Sequence, residues 1–153
     1  MKIRILIADD HQMFREALCN LLRAEADMEV VGQTGDGLEV LTLTQALAPD
    51  LVCMDINMPG LNGIETTRKL RVTCPQTKVV ALSAFADQRY VLDMLAAGAS
   101  GYVTKAEASD ELRRAIRAVA RGRTYLCPDV AGVVAGAASG HTAPADPGVS
   151  LST

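Results

Sequence analysis

Tryptophan is absent from the 153 residues and aromatic side chains make up only 3% of them, although 49% are hydrophobic. The interior must therefore be assembled from Leu, Val, Ile, Ala and Met, which suits a layered α/β fold. A surplus of positive charge is missing too: 15 Lys and Arg stand against 18 Asp and Glu, for a formal net charge of -3. That balance gives no overall pull toward nucleic acid or an anionic membrane, and DNA binding by this chain alone is not expected. Cysteines are few, and Cys19, Cys53, Cys74 and Cys127 form no CxxC or Cys/His ligand spacing. Reduced, buried or half-buried thiols are expected. No charged start leads into a long apolar segment, so neither a signal peptide nor a membrane span is predicted, and the expected location is the cytoplasm.

What the chain does contain is a recurrence of apolar, β-rich runs at Ile3 to Ala8, Val30 to Gly32, Leu51 to Met54, Lys78 to Leu82 and Gly101 to Val103. Amphipathic stretches separate them, so the pattern predicts five β/α units. The first, third and fourth runs are continuously apolar, as in parallel strands buried on both faces. Helices are expected over 12–24 and 37–47, from about Asn62 or Gly63 until before Pro75, over 88–97, and from Ser109 as N-cap to Gly122. Phe14, Leu18, Leu21 and Leu22 mark the inner face of the first helix. Cys127-Pro128-Asp129 can open a short helix over 129–138, which Gly132 and Gly136 weaken. From Ser139 onward the composition turns to Gly, Ala, Pro, Ser and Thr, so a flexible linker is expected over 139–153 and the folded domain over 1–128.

Chemistry-bearing residues fall just after these runs. Asp9 and Asp10 follow the first, Asp55 the third, Ser83 the fourth and Lys105 the fifth. In an open parallel α/β sheet, ligands gather beyond the carboxyl ends of the strands at the topological switch point. Carboxylates packed together resist ionising together unless a cation or a lysine offsets the charge, and carboxylate oxygens are the donors that Mg²⁺ prefers. The set predicts an Mg²⁺ site at Asp9, Asp10 and Asp55, although any one of these acids alone reads more simply as solvated or helix-capping. His11 could join a transition-metal site, but without a second well-placed His a surface or capping residue is expected. Cys53 is read as a packed thiol, with strand alternation turning it away from the neighbourhood of Asp55.

Taken together, Asp9-Asp10, Asp55 within Met54-Asp55-Ile56-Asn57-Met58-Pro59-Gly60, Ser83-Ala84, and Tyr102 three residues before Lys105 resemble the receiver domain of two-component response regulators. The resemblance covers Met1 to about Pro128. It implies a flavodoxin-like (CheY-like) five-stranded parallel sheet of order 2-1-3-4-5 with helices on both faces. It also implies that Asp55 is the phosphoacceptor, taking a phosphoryl group from a sensor histidine kinase or a small acyl phosphate. A carboxylate in its ordinary state needs no base for this attack. Mg²⁺ would be held by Asp9, Asp10, Asp55 and the backbone carbonyl of Asn57, with Lys105 sharing the charge neutralisation and Ser83 donating its hydroxyl to a phosphoryl oxygen. Ser83 and Tyr102 would form the switch pair that alters the surface of the fourth helix, fifth strand and fifth helix. Tyr102 read by itself is a half-buried strand aromatic.

Ala106 follows Lys105 where many receivers carry Pro, often after a cis peptide bond that would cost several kcal/mol here. Asn57 and Phe85 occupy places that tune phosphoryl lifetime in the family. Arg113, Arg117 and Arg121 recur at four-residue spacing and read either as a solvated face or as dimer or output contacts. A homodimer through the fourth helix, fifth strand and fifth helix, or through the first and fifth helices, is implied.

Ala8-Asp9-Asp10-His11, Phe14-Arg15-Glu16, Gly32 to Gly37 and Gly101-Tyr102 are similar to the NarL/FixJ class, in which a LuxR-type DNA-binding domain follows the receiver. That output domain is expected to be missing here, so contact with DNA would come only through it. A stand-alone receiver that acts by docking to a partner protein is the alternative. An aspartyl-nucleophile phosphatase needs a second acid where Asn57 stands, and a flavodoxin-like flavin site would meet repulsion of its phosphate from Asp9 and Asp10. No separate substrate turnover is expected.

Overall fold

Six consecutive residues, Ile3–Ala8, form strand β1, and its last four side chains are wholly buried because both of its faces are covered. In this computed structural model, which describes residues 2–60, 62–84 and 86–139 and the side chains through residue 136, helix α1 (Gln12–Arg23) and strand β2 (Met28–Thr34) follow. Then come α2 (Glu39–Leu47), β3 (Leu51–Asp55), α3 (Gly63–Thr73), β4 (Lys78–Ser83), α4 (Gln88–Ala97) and β5 (Gly101–Thr104). A single 3-10 turn, Lys105–Glu107, leads directly into α5 (Ala108–Ala120), and a two-residue strand β6 (Tyr125–Leu126) precedes α6 (Pro128–Ser139).

The sheet is parallel throughout, in the order β2-β1-β3-β4-β5-β6. The five expected strands and their order hold, and β6 is an addition, too short to carry a hydrophobic period. Every residue of β3 is buried, as are Val79 to Ser83 of β4 and all of β5. β1 and β3 are neighbours while β2 lies on the far side of β1, so the chain reverses its direction of winding between them. This reversal places the switch point at the carboxyl ends of β1 and β3.

Local chemistry explains the helix boundaries. Asn62 caps α3 by accepting the N–H groups of Ile64 at 3.1 Å and Glu65 at 3.2 Å, and Asp87 caps α4 through the Arg89 N–H at 2.9 Å. Helix α4 ends as expected at Gly98, whose φ of 117° only glycine adopts readily. Helix α2 starts two residues later than expected, because Asp36 accepts the Leu38 N–H at 2.9 Å and Thr34 Oγ1 accepts that of Asp36 at 3.0 Å, which holds the chain in a turn. Ser109 is not the N-cap of α5. The 3-10 turn already brings the chain into helical register, so Glu107 stands at the cap and Ser109 lies exposed in the first turn.

Helix α6 is longer than the short helix expected, with Pro128 at its first position and Val130 wholly buried. The linker expected over 139–153 lies, from residue 140, outside the described residues. Leu18, Cys19 and Leu22 are buried on α1, whereas Phe14 and Leu21 are half-buried. All four cysteines are free, three of them buried and Cys74 half-buried. Arg113 and Arg117 of α5 are paired with the turn before β2: Arg117 donates to Glu25 at 2.6 Å and to both Asp27 oxygens at 2.9 Å, and Arg113 donates to Glu25 at 3.4 Å. No helix among the described residues is long and apolar enough to cross a membrane.

Candidate functional site

The carboxyl ends of four neighbouring strands bring the sequence-predicted residues together. Asp9 lies one residue past β1, Asp55 ends β3, Ser83 ends β4, and Lys105 opens the turn after β5. Asp9 is 0% exposed, Asp55 2% and Ser83 2%. The Lys105 ammonium stands 3.0 Å from Asp9 Oδ2 and 3.0 Å from Asp55 Oδ2, joining residues far apart in the chain. Burial pulls the Lys105 ammonium toward deprotonation, but hydrogen bonds and charge from Asp9 and Asp55 outweigh it, leaving its pKa above the ordinary lysine value.

Backbone groups orient both acids. Asp9 Oδ1 accepts the His11 N–H at 2.8 Å, and Asp55 Oδ1 accepts the Asn57 N–H at 3.0 Å. Asp9 Oδ2 is turned to the Lys105 ammonium, while Asp10 Oδ1 is buried with no hydrogen-bond partner among the described residues. Asp9, Asp10, His11 and Asp55 each offer one donor atom, all within 4.8 Å of one another, so the cluster could hold a metal ion. The donor set is rich in hard oxygens and fits Mg²⁺.

Ser83 lies opposite Thr104 in the β4–β5 register, and Tyr102 lies opposite Ala81. Tyr102 is wholly buried rather than half-buried. Its hydroxyl stands near that of Ser83. Burial pushes the phenol pKa up, while the nearby Ser83 hydroxyl pulls the other way. Cys53 requires a correction. Residues two apart on a strand share a face, so Cys53 lies on the same side of β3 as Asp55. There it is fully buried near Cys19, and burial pushes its thiol up to about 12, which leaves it an inert packing group. The peptide bonds are trans among the described residues, Lys105–Ala106 included. Phe85 lies outside them.

Three residues named in the sequence reading take places at the site that it did not assign them. Phe14 places its ring under Lys105, 4.8 Å from the ammonium to the ring centroid. Arg15 donates to the Asp9 carbonyl at 2.7 Å and to Gln33 at 3.0 Å, bracing the end of β1. His11, expected at the surface or as a cap, does stand at the N-cap of α1 but makes no side-chain cap bond. Its Nδ1 lies instead 3.1 Å from Lys105 Nζ. The run His11 to Arg15 directly after the acids was the only available signal for all three.

A doubly wound parallel sheet with clustered acids and a lysine at its switch point defines a domain built to manage charge there. The chain belongs to the response regulator receiver domain family, whose model matches residues 5–117. It is 44% identical over 129 residues to the transcriptional regulatory protein DegU of Brevibacillus brevis, covering 84% of this chain and 55% of that one. It is 40% identical over 129 residues to the response regulator GacA of Pseudomonas viridiflava, covering 84% and 60%. Among solved structures it is similar to a two-component response regulator of the LuxR family from Aurantimonas sp. SI85-9A1, with a TM-score of 0.84 at 35% identity, covering 88% of this chain and 96% of that one. The signal receiver domain of a response regulator NarL from Mycobacterium tuberculosis superposes with a TM-score of 0.76 at 33% identity, covering 80% and 98%. The chain spans only 55% and 60% of the length of the two curated relatives.

Proposed function

We propose that Asp55 is the phosphoacceptor of this receiver, taking a phosphoryl group from a sensor histidine kinase or a small acyl phosphate. The observation that carries the reading is the Lys105 ammonium held 3.0 Å from both Asp9 and Asp55, with the buried Asp10 Oδ1 beside them still without a hydrogen-bond partner among the described residues. An Asp55 oxygen attacks phosphorus while the P–N bond of the phosphohistidine, or the P–O bond of the acyl phosphate, breaks. The bonding pair leaves with the donor imidazole or carboxylate. Asp9, Asp10, Asp55 and the Asn57 carbonyl would hold Mg²⁺. When bound, that ion supplies charge neutralisation to the phosphoryl oxygens.

Lys105 pairs with a phosphoryl oxygen, and Phe14 beneath it limits where the ammonium swings. Ser83, at the end of β4, donates its hydroxyl to another oxygen, and Tyr102, buried beside it, carries that change toward α4, β5 and α5. The domain turns over no separate substrate. Its acyl phosphate is hydrolysed back to Asp55, and the product is a change of state. Both curated relatives, one of them named a transcriptional regulatory protein, exceed this chain in length, which supports reading residues 1–128 as the receiver of a transcriptional regulator. We place it in the cytoplasm, with DNA contacted by a further domain and homodimers formed through α4, β5 and α5 or through α1 and α5.

Incubation with acetyl phosphate and Mg²⁺, followed by intact mass, tests the assignment. A single phosphoryl adduct is expected, absent in Asp55→Asn and absent when a chelator replaces Mg²⁺. An adduct that persists in Asp55→Asn overturns it.

A further inference from the structure

We propose that the His11 imidazole supplies a nitrogen donor to a divalent cation at the acidic site and tilts its preference from Mg²⁺ toward borderline metals such as Mn²⁺ and Co²⁺; this rests on the metal reading above. The ring is poorly explained otherwise. His11 occupies the N-cap position of α1, yet its side chain caps nothing, and it is 69% exposed without turning away from the protein. Nδ1 points inward instead, 3.4 Å from Asp9 Oδ1 and 3.6 Å from Asp10 Oδ1.

The same nitrogen faces a cation already. Asp9 Oδ2 at 3.0 Å, Asp55 Oδ2 at 3.0 Å and His11 Nδ1 at 3.1 Å all converge on the Lys105 ammonium. An ammonium has donors only, so a neutral imidazole facing it through Nδ1 presents that nitrogen's lone pair. The imidazole is thus presented as a cation ligand. Asp10 Oδ1, buried and accepting no hydrogen bond, lies on the same side.

Spacing agrees with a shared ion. Donors around an octahedral metal with bonds of about 2.1 Å sit about 3.0 Å apart when adjacent and about 4.2 Å when opposite. The His11 separations of 3.4 and 3.6 Å and the 4.8 Å limit on the whole group are within a short inward shift of that geometry. The backbone N–H of His11, bonded to Asp9 Oδ1 at 2.8 Å, anchors the residue to the acid it would share the metal with. An all-oxygen site favours Mg²⁺. Adding an imidazole raises affinity along the series from Mn²⁺ through Co²⁺ far more than for Mg²⁺.

The experiment uses the full chain with the metals alone. Mn²⁺-loaded protein is studied by electron spin echo envelope modulation, and Co²⁺ and Mg²⁺ affinities are measured by competition against Mn²⁺. Expected are ¹⁴N modulation from a directly bound imidazole, its conversion to a ¹⁵N pattern when only histidine is labelled, and its loss in His11→Asn. That variant should bind Co²⁺ about 10-fold more weakly or worse and Mg²⁺ less than about 2-fold differently. Histidine labelling is repeated in a His141→Asn background, where His11 is the remaining histidine, so a folding defect in His11→Asn cannot obscure the answer. Mn²⁺ bound without histidine modulation overturns the His11 role and leaves the acidic metal site standing. Failure of wild-type protein to bind Mn²⁺ or Mg²⁺ overturns the metal reading and the His11 role with it.

Discussion

Carboxylates meet cations in two places in this molecule, and the pairing is resolved in opposite ways. Where α5 packs near the turn before β2, both oxygens of Glu25 and both of Asp27 receive a guanidinium donor from Arg117 or Arg113. At the carboxyl ends of β1 and β3, Asp9 and Asp55 share the ammonium of Lys105 at 3.0 Å each, and the buried Asp10 Oδ1 has no hydrogen-bond partner among the described residues. The first cluster is surface-exposed and saturated; the second is sunk and undersupplied. A cluster in which every oxygen has its own donor has little left to bind, whereas a buried lone pair without one is a standing cost that an added cation would relieve.

Substitutions should break this contrast most sharply at its centre. Asp55→Asn is expected to remove acetyl phosphate modification altogether while leaving a cooperatively folded domain, checked by intact mass and thermal melting. Lys105→Met should slow modification by about 10²–10³-fold, the typical loss for one electrostatic donor. It should also lower the melting midpoint, since Asp9 and Asp55 would face each other with no cation. A midpoint equal to or above wild type would contradict the pairing.

Asp10→Asn should act in the opposite sense on stability. Removing one of the crowded carboxylates raises the metal-free midpoint by on the order of a few degrees while weakening metal binding at least about 10-fold, measured by melting in chelator and by Mn²⁺ titration. An unchanged midpoint together with undiminished metal affinity would show that Asp10 lies outside the strained set.

Arg117→Gln should have the smallest effect, a fall in midpoint of at most a few degrees with modification unchanged. Its pH dependence has a definite sign. Hydrogen bonds from Arg117 hold Glu25 and Asp27 below their ordinary values of 4.5 and 3.8. Groups so depressed stabilise the fold fully above those ordinary values and lose the contribution as pH falls through their lower folded values. The midpoint difference between wild type and Arg117→Gln should thus be full at pH 6 and shrink as the pH drops below about 4. It should shrink in molar salt as well. A difference that grows in acid would refute the pairing.

Much of this arrangement was legible in the residue order. Continuous apolar runs marked β1, β3 and β4 because strands covered on both faces need no alternation, and the acids and lysine standing just past them were bound to converge if the strands ran parallel. Gly98 and Asn62 marked helix ends through their own backbone chemistry. What stayed hidden depended on contacts distant in sequence or on very short segments. The His11 ring meets Lys105 across 94 positions of chain, and no periodicity encodes a rotamer. Ser109 looked like a cap because the 3-10 turn before it has no pattern of its own. For Arg117 the sequence left a solvated face and a dimer or output contact equally open, since its acidic partners belong to a loop 90 and 92 positions earlier.

Strand β6 carries a last consequence out of proportion to its two residues. Through Tyr125 and Cys127 it gives the carbonyls of Ser100 and Tyr102 their N–H partners, at 2.9 and 3.2 Å, along the outer margin of β5. Without that cover, a flat and wholly buried apolar strand would present open backbone groups to solvent, a template on which other chains could pair and aggregate. Trimming the chain at the end of α5 would keep every residue of the acidic site and is expected to raise self-association, which sedimentation would measure.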